Sequence, residues 1–189
     1  MADPTSGYSL VEVIEQNVQL GSISALGTDV IHKVSEEDEL DRNQSVLSQR
    51  RYGIITREFS KPCIVTGPVQ WAAGFHRIER HQVRFAKELH LFHLALHDQS
   101  VAQERIKERS AAATSASLLA HVTSRLERFS EVEGVEPIPG DDVYDSARAQ
   151  IAKPRRPGHV RTRPGFITEN PNTERGYLIR IPERFGKVL

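Results

Sequence analysis

With 189 residues, 38% hydrophobic and 26% charged, the chain is large enough for one sizeable core and has the composition of an ordinary folded protein. A single cysteine, Cys63, excludes an intrachain disulfide and a multi-cysteine zinc site, and no run approaches the ~20 apolar residues of a membrane-crossing helix. Basic and acidic side chains number 25 each, so total charge selects no partner, but the charges fall in alternating blocks.

Residues 1–48 hold nine acidic and two basic side chains, 49–109 eleven basic and six acidic, 110–147 seven acidic and two basic, and 148–189 ten basic and three acidic. Such blocks allow complementary contact within one chain or between copies. The opening MADPTSGYS is acidic and lacks the apolar core of a signal peptide, so a cytoplasmic protein, or one assembled into a particle such as a virion, is expected.

Ser9 followed by Glu12 is a capping-box pattern, and Leu10, Val13, Ile14 and Val18 recur at helical spacing, which predicts a helix over 10–20. Ile23, Leu26, Val30 and Ile31 suggest a second helix, weakened by Gly27. Tyr52–Phe59 and Cys63–Val69 are short, β-branched and aromatic, and broken by Ser60-Lys61-Pro62, so they read as a short β-hairpin. Cys63 lies in the apolar run CIVTG and is expected to be a buried small hydrophobe.

Arg77–Phe129 contains neither proline nor glycine, the two residues that most reliably stop a helix. A long central helix, or a helical hairpin turning at the small residues Ser110–Ser117, is therefore expected. Phe85, Leu89, Phe92 and Leu96 form one apolar stripe spaced four, three, four, and Leu119, Val122, Leu126 and Phe129 form a second. Both stripes demand a partner surface, which makes these eight residues the candidate interface.

Beyond Phe129 the glycine- and proline-punctuated EVEGVEPIPGDD reads as a loop, 142–151 as a short helix and Tyr177–Ile181 as a strand able to join the sheet begun at Tyr52. The chain thus divides into an N-terminal arm with short helices (1–51), the β-hairpin (52–70), the long helical element (71–131) and an extended basic C-terminal arm (132–189).

Two clusters carry candidate chemistry. His90, His93 and His97 would share one face of a helix, with His93 and His97 at the i, i+4 spacing from which imidazoles ligate a metal or flank a haem. The intervening residues read HLALH and lack the glutamate of the metalloprotease motif. Lys153, Arg155, Arg156, Arg161 and Arg163 lie among prolines and glycines, a composition that follows a phosphate backbone or docks on an acidic surface. GxGxxG, P-loop and GxSxG patterns are absent.

A mainly α protein of α+β class with two to three short strands and extended termini is therefore expected. Its expected role is non-enzymatic and structural, without a cofactor. Self-association, or packing with other subunits into a large assembly such as a capsid, would engage the long helix and the arms. A metal- or haem-binding helical protein and a nucleic-acid-associated protein are the alternatives.

Overall fold

The computed structural model describes residues 1–55, 59–72, 78–79, 84–152, 171–174 and 176–187, with positions 20, 118, 121, 122, 148 and 150–152 described by backbone only. In chain order the elements are helix α1 (Leu10–Asn17), strand β1 (Ser22–Ile31), the single turn α2 (Val46–Gln49) and strands β2 (Tyr52–Ile55), β3 (Pro62–Val65) and β4 (Phe85–Leu96). Helices α3 (Gln99–Ala111), α4 (Ala116–Thr123) and α5 (Glu127–Val132) follow, then the two-residue strand β5 (Ile138–Pro139), helix α6 (Gly140–Ala152) and strand β6 (Tyr177–Arg180).

These strands form one mixed six-stranded sheet with β1 as its axis. Strand β4 runs parallel to β1, placing Leu26 opposite His90, Thr28 opposite Phe92 and Asp29 opposite His93. Strands β3 and β2 are both antiparallel to β1, pairing with Ser22–Ser24 and Thr28–Val30 respectively. Ser24 has partners in both β3 and β4, and Thr28 in both β2 and β4, so β2 and β3 share the edge away from β4. Strand β6 extends the sheet from β2, and β5 pairs parallel with β6.

This architecture overturns the mainly α expectation with its single long central element. Residues 85–96 are a twelve-residue strand, and 23–31, predicted helical, lie in the central one. Propensity and periodicity are weak against a pairing that buries all ten residues of β1. The segments at 52–55 and 62–65 are strands, yet they pair with β1 and not with each other. Among the described residues of the long span, helicity begins at Gln99, where the Asp98 carboxylate accepts from the Val101 amide at 3.1 Å and caps α3. The small-residue segment separates α3 from α4, which pack on each other. The capping box at Ser9 and Glu12 is present, with both of its hydrogen bonds.

Alternation along β1 divides the core. Leu26 and Val30 face α6 and pack with Ile55, Tyr144, Ile179 and Phe185. The opposite face carries two separate apolar patches. At one end Ile23 and Ala25 meet Val13 of α1 together with Ala86 and Leu89. At the other, Ile31, Tyr52, Ile54, Leu96 and Leu178 meet Ala102 of α3 and Phe129 and Val132 of α5. Gly27 and Asp29 lie between the patches. Among the described residues no helix is long and apolar enough to cross a membrane.

Candidate functional site

Asp29 is 1% exposed, and a carboxylate so buried needs compensation for both oxygens. His93, its neighbour across β1 and β4, bonds Oδ1 through Nδ1 at 2.7 Å. Arg128 of α5 donates from Nη1 to Oδ2 at 2.6 Å. The Phe59 ring stacks on His93 with centroids 4.5 Å apart, and the Arg128 guanidinium lies 5.7 Å from the same ring's centroid. A cation over an aromatic face is attracted by the ring quadrupole.

Gly27 makes this arrangement sterically possible. Ile55 stands opposite Thr28 and Pro62 opposite Ser24, and between those two pairs the chain at Phe59 and Ser60 closes over β1 at Gly27. A Cβ at position 27 would stand 2.0 Å from the Phe59 carbonyl carbon and 2.5 Å from the Ser60 amide nitrogen. With no side chain there, the Gly27 amide donates to Ser60 Oγ at 2.9 Å, and Phe59 reaches across to His93.

A carboxylate accepts only, so Nδ1 of His93 carries the proton of this bond and Nε2 takes no part in it. His93 is 30% exposed on its side chain, and Nε2 has no hydrogen-bond partner among the described residues. Arg128 Nε is buried and likewise makes no hydrogen bond. Arg125 precedes it by one turn. Burial pushes the Arg125 guanidinium below its usual range; Asp29 opposes that shift, while Arg128 and Arg109 add to it. Chemically, the centre orients an imidazole and gathers guanidinium groups beside one carboxylate.

The three histidines expected on one helical face are dispersed. His90 points to the opposite side of β4, edge-on to Tyr144 at 4.6 Å and against Phe185 at 4.8 Å. There its Nε2 lies 3.4 Å from Asp3, which also accepts from Arg184 Nε at 2.9 Å and from the Thr5 amide at 3.0 Å. This second buried ion cluster pins residues 1–3 along β4, where the Asp3 amide donates to the Glu88 carbonyl at 2.7 Å. His97 lies beyond the strand end and binds the Leu94 carbonyl through Nδ1. No group of three His, Cys, Asp or Glu side chains able to hold a metal occurs among the described residues. The strand, with adjacent side chains on alternate faces, is the reason the helical spacing fails to make a ligand set.

The eight expected interface residues fall mostly within the chain's own core. Leu89, Leu96 and Phe129 are buried, and Phe92 and Leu126 pack partly buried against the same clusters. Phe85 is partly buried at the start of β4. Leu119 alone is exposed, and the Val122 side chain lies outside the description. Lys153, Arg155, Arg156, Arg161 and Arg163 lie outside the described residues. Cys63 is exposed as a residue and not the buried hydrophobe expected, although its Sγ lies 3.6 Å from the Ile23 carbonyl and burial there pushes the thiol pKa up.

Asp29, Arg125, Arg128 and Phe59 were not singled out by sequence reasoning. A usable signal did exist for Asp29, the lone charge in SISALGTDVI. Arg128 carried none, because only folding brings α5 over β1. Comparison with protein-family models, with curated proteins and with solved structures returns no match.

Proposed function

We propose that the chain acts by binding rather than by catalysis, as a self-associating subunit of a larger assembly. The supporting observation is the apolar surface on two short helices. On α1, Val11 is 62% exposed and Leu10 44%, flanked by exposed Tyr8 and Val18. On α4, Leu119 is 41% exposed between exposed Ala116 and Ala120. Burying one such aliphatic side chain fully is worth about 1.5–3 kcal/mol, so covering these helices favours association. A second copy is the partner that charge favours. Each copy carries an acidic block at 1–48, with Glu12 and Glu15 exposed beside Val11, and a basic block at 148–189 able to meet it.

Light scattering on the eluting protein tests this reading. The expected mass is a multiple of 21.3 kDa, and Val11→Asp should lower it while the circular dichroism spectrum stays unchanged. A monomer at every salt and protein concentration would sink the proposal.

A further inference from the structure

Residues 1–3 lie along one side of β4, which pairs with β1 on the other. Their hold is specific. The His90 amide donates to the Met1 carbonyl at 2.9 Å, and the Asp3 amide to the Glu88 carbonyl at 2.7 Å. The buried Asp3 carboxylate accepts from Nε and Nη2 of Arg184, at 2.9 and 3.1 Å. The next stretch is held differently. Among the described residues its hydrogen bonds are local: Thr5 and Ser6 bond to Asp3, and the Tyr8 amide donates to Ser6 Oγ. Thr5, Ser6 and Tyr8 line, with Lys87 and Glu88 of β4, an open hollow of about 350 Å³. Gly7 sits at φ +74° with open space where a Cβ would project, so glycine there can leave and re-enter that conformation without a steric penalty. Immediately beyond it come the exposed side chains of Tyr8, Leu10 and Val11. A tip with built contacts, a loosely held connector and an uncovered apolar surface at its foot together suit an arm that can be exchanged.

We infer that residues 1–6 are exchanged between two copies of the chain, each arm lying along the β4 edge of its partner. This inference rests on the self-association reading and names its interface. Each copy regains every arm contact from the other, so the exchange by itself changes little. The gain comes from covering Tyr8, Leu10 and Val11, whose apolar surface faces solvent in a lone chain. Chain length fixes where the copies meet. Asp3 and Ser9 are six residues apart, a span of at most about 20 Å. The partner's β4 edge must therefore lie beside the hinge at Gly7. Under two-fold symmetry the same holds in reverse, which brings the start of α1 in one copy against the start of α1 in the other.

Two charge-reversed variants of the full chain test the exchange. Asp3→Arg spoils the arm and leaves the β4 edge intact, and Arg184→Asp does the reverse. Alone, each sets like charges together and should melt below wild type. Refolded as a mixture, exchanged pairs place native Asp3 on native Arg184 at one edge and join the two reversed charges at the other. Native mass spectrometry should then show a species holding one chain of each variant, with a Tm above both parents. A mixture that melts as the sum of its parents overturns the exchange. Where a charge-reversed chain does not fold, a cysteine pair decides. Met1 and His90 exchange both of their hydrogen bonds, so Ala2 and Leu89 oppose each other as the closer, non-hydrogen-bonded kind of pair, which a disulfide can bridge. In a Cys63→Ser background, oxidised Ala2→Cys with Leu89→Cys should give a covalent dimer in non-reducing electrophoresis, and adding Val11→Asp should confine the disulfide to single chains. Disulfides confined to single chains without Val11→Asp overturn the exchange. If light scattering still gives a multiple of 21.3 kDa, self-association stands without it, whereas a monomer overturns both.

Discussion

Asp3 and Glu37 are both buried carboxylates, and the fold shifts them in opposite directions. Burial pushes the Asp3 carboxyl upward, but hydrogen bonds from His90, Arg184 and Thr5 outweigh it and hold the group far below the usual carboxylate range. For Glu37, burial dominates and raises the carboxyl, with the Arg51 and Lys33 amides offsetting only part. An acid whose folded pKa lies below its unfolded value, about 3.9 for aspartate, contributes stability fully present above that value and lost as pH falls. A raised acid does the reverse, and its ionised form costs stability as pH climbs through the folded pKa. Asp3→Asn should therefore lower unfolding stability in urea by about 2 kcal/mol at neutral pH, the scale of a broken buried charge pair. The gap to wild type should begin to narrow as pH falls below about 4, the unfolded value, and keep narrowing at lower pH. A gap that stays constant with pH would show that Asp3 acts through shape and not through charge.

At the scale of elements, β4 shows why part of the fold was hidden. Its register against β1 slips twice: Ser24 and Leu26 face Phe85 and His90, and Asp29 and Ile31 face His93 and Leu96. Each slip adds residues on β4 and breaks the two-residue alternation by which a strand is recognised. The result imitates helical spacing at Phe85, Leu89, Phe92 and Leu96. Those side chains do not share a face. Leu89 packs toward α1, Phe92 lies 5.1 Å from Phe185 on the other side, and Leu96 joins the α3 and α5 patch.

The legible elements were those with local signatures. Ser9 and Glu12 mark the start of α1, and β-branched and aromatic runs mark β2 and β6. The Asp29 centre was illegible because its members lie at positions 29, 59, 93 and 128 and meet only through the sheet. Gly27, read as a residue that weakens a helix, is instead the gap through which Phe59 crosses β1. Gly27→Ala should cost about 1–3 kcal/mol or more, as in other overpacked cores, because the clash is with backbone. The same variant should weaken the stacking of Phe59 on His93, read as a shift of the His93 ring protons in NMR. Wild-type stability and unshifted His93 protons would disprove the steric role.

For the whole molecule, β1 joins everything else. It pairs with β2, β3 and β4, and both of its faces lie in core. The Thr28 and Tyr144 hydroxyls, 2.9 Å apart, tie it to α6. Its amides should therefore exchange with solvent only through global unfolding, whereas amides of the largely exposed α4 should exchange through local opening. Hydrogen exchange followed by NMR checks the order, and β1 amides that exchange as fast as those of α4 would contradict it.

The pairing of β2 with β6 also has a consequence for synthesis. Tyr52 on β2 takes Arg180 as its partner, so the edge of β2 stays unpaired until about 120 further residues have been translated. At about 5–20 residues per second the delay is on the order of ten seconds. Throughout that interval the nascent chain presents a short apolar strand, Tyr52–Ile55, with open hydrogen-bonding groups along one side. Ribosome-bound chains are therefore most exposed to strand-to-strand misassociation before β6 emerges, and it is β6 that closes the vulnerable edge of β2.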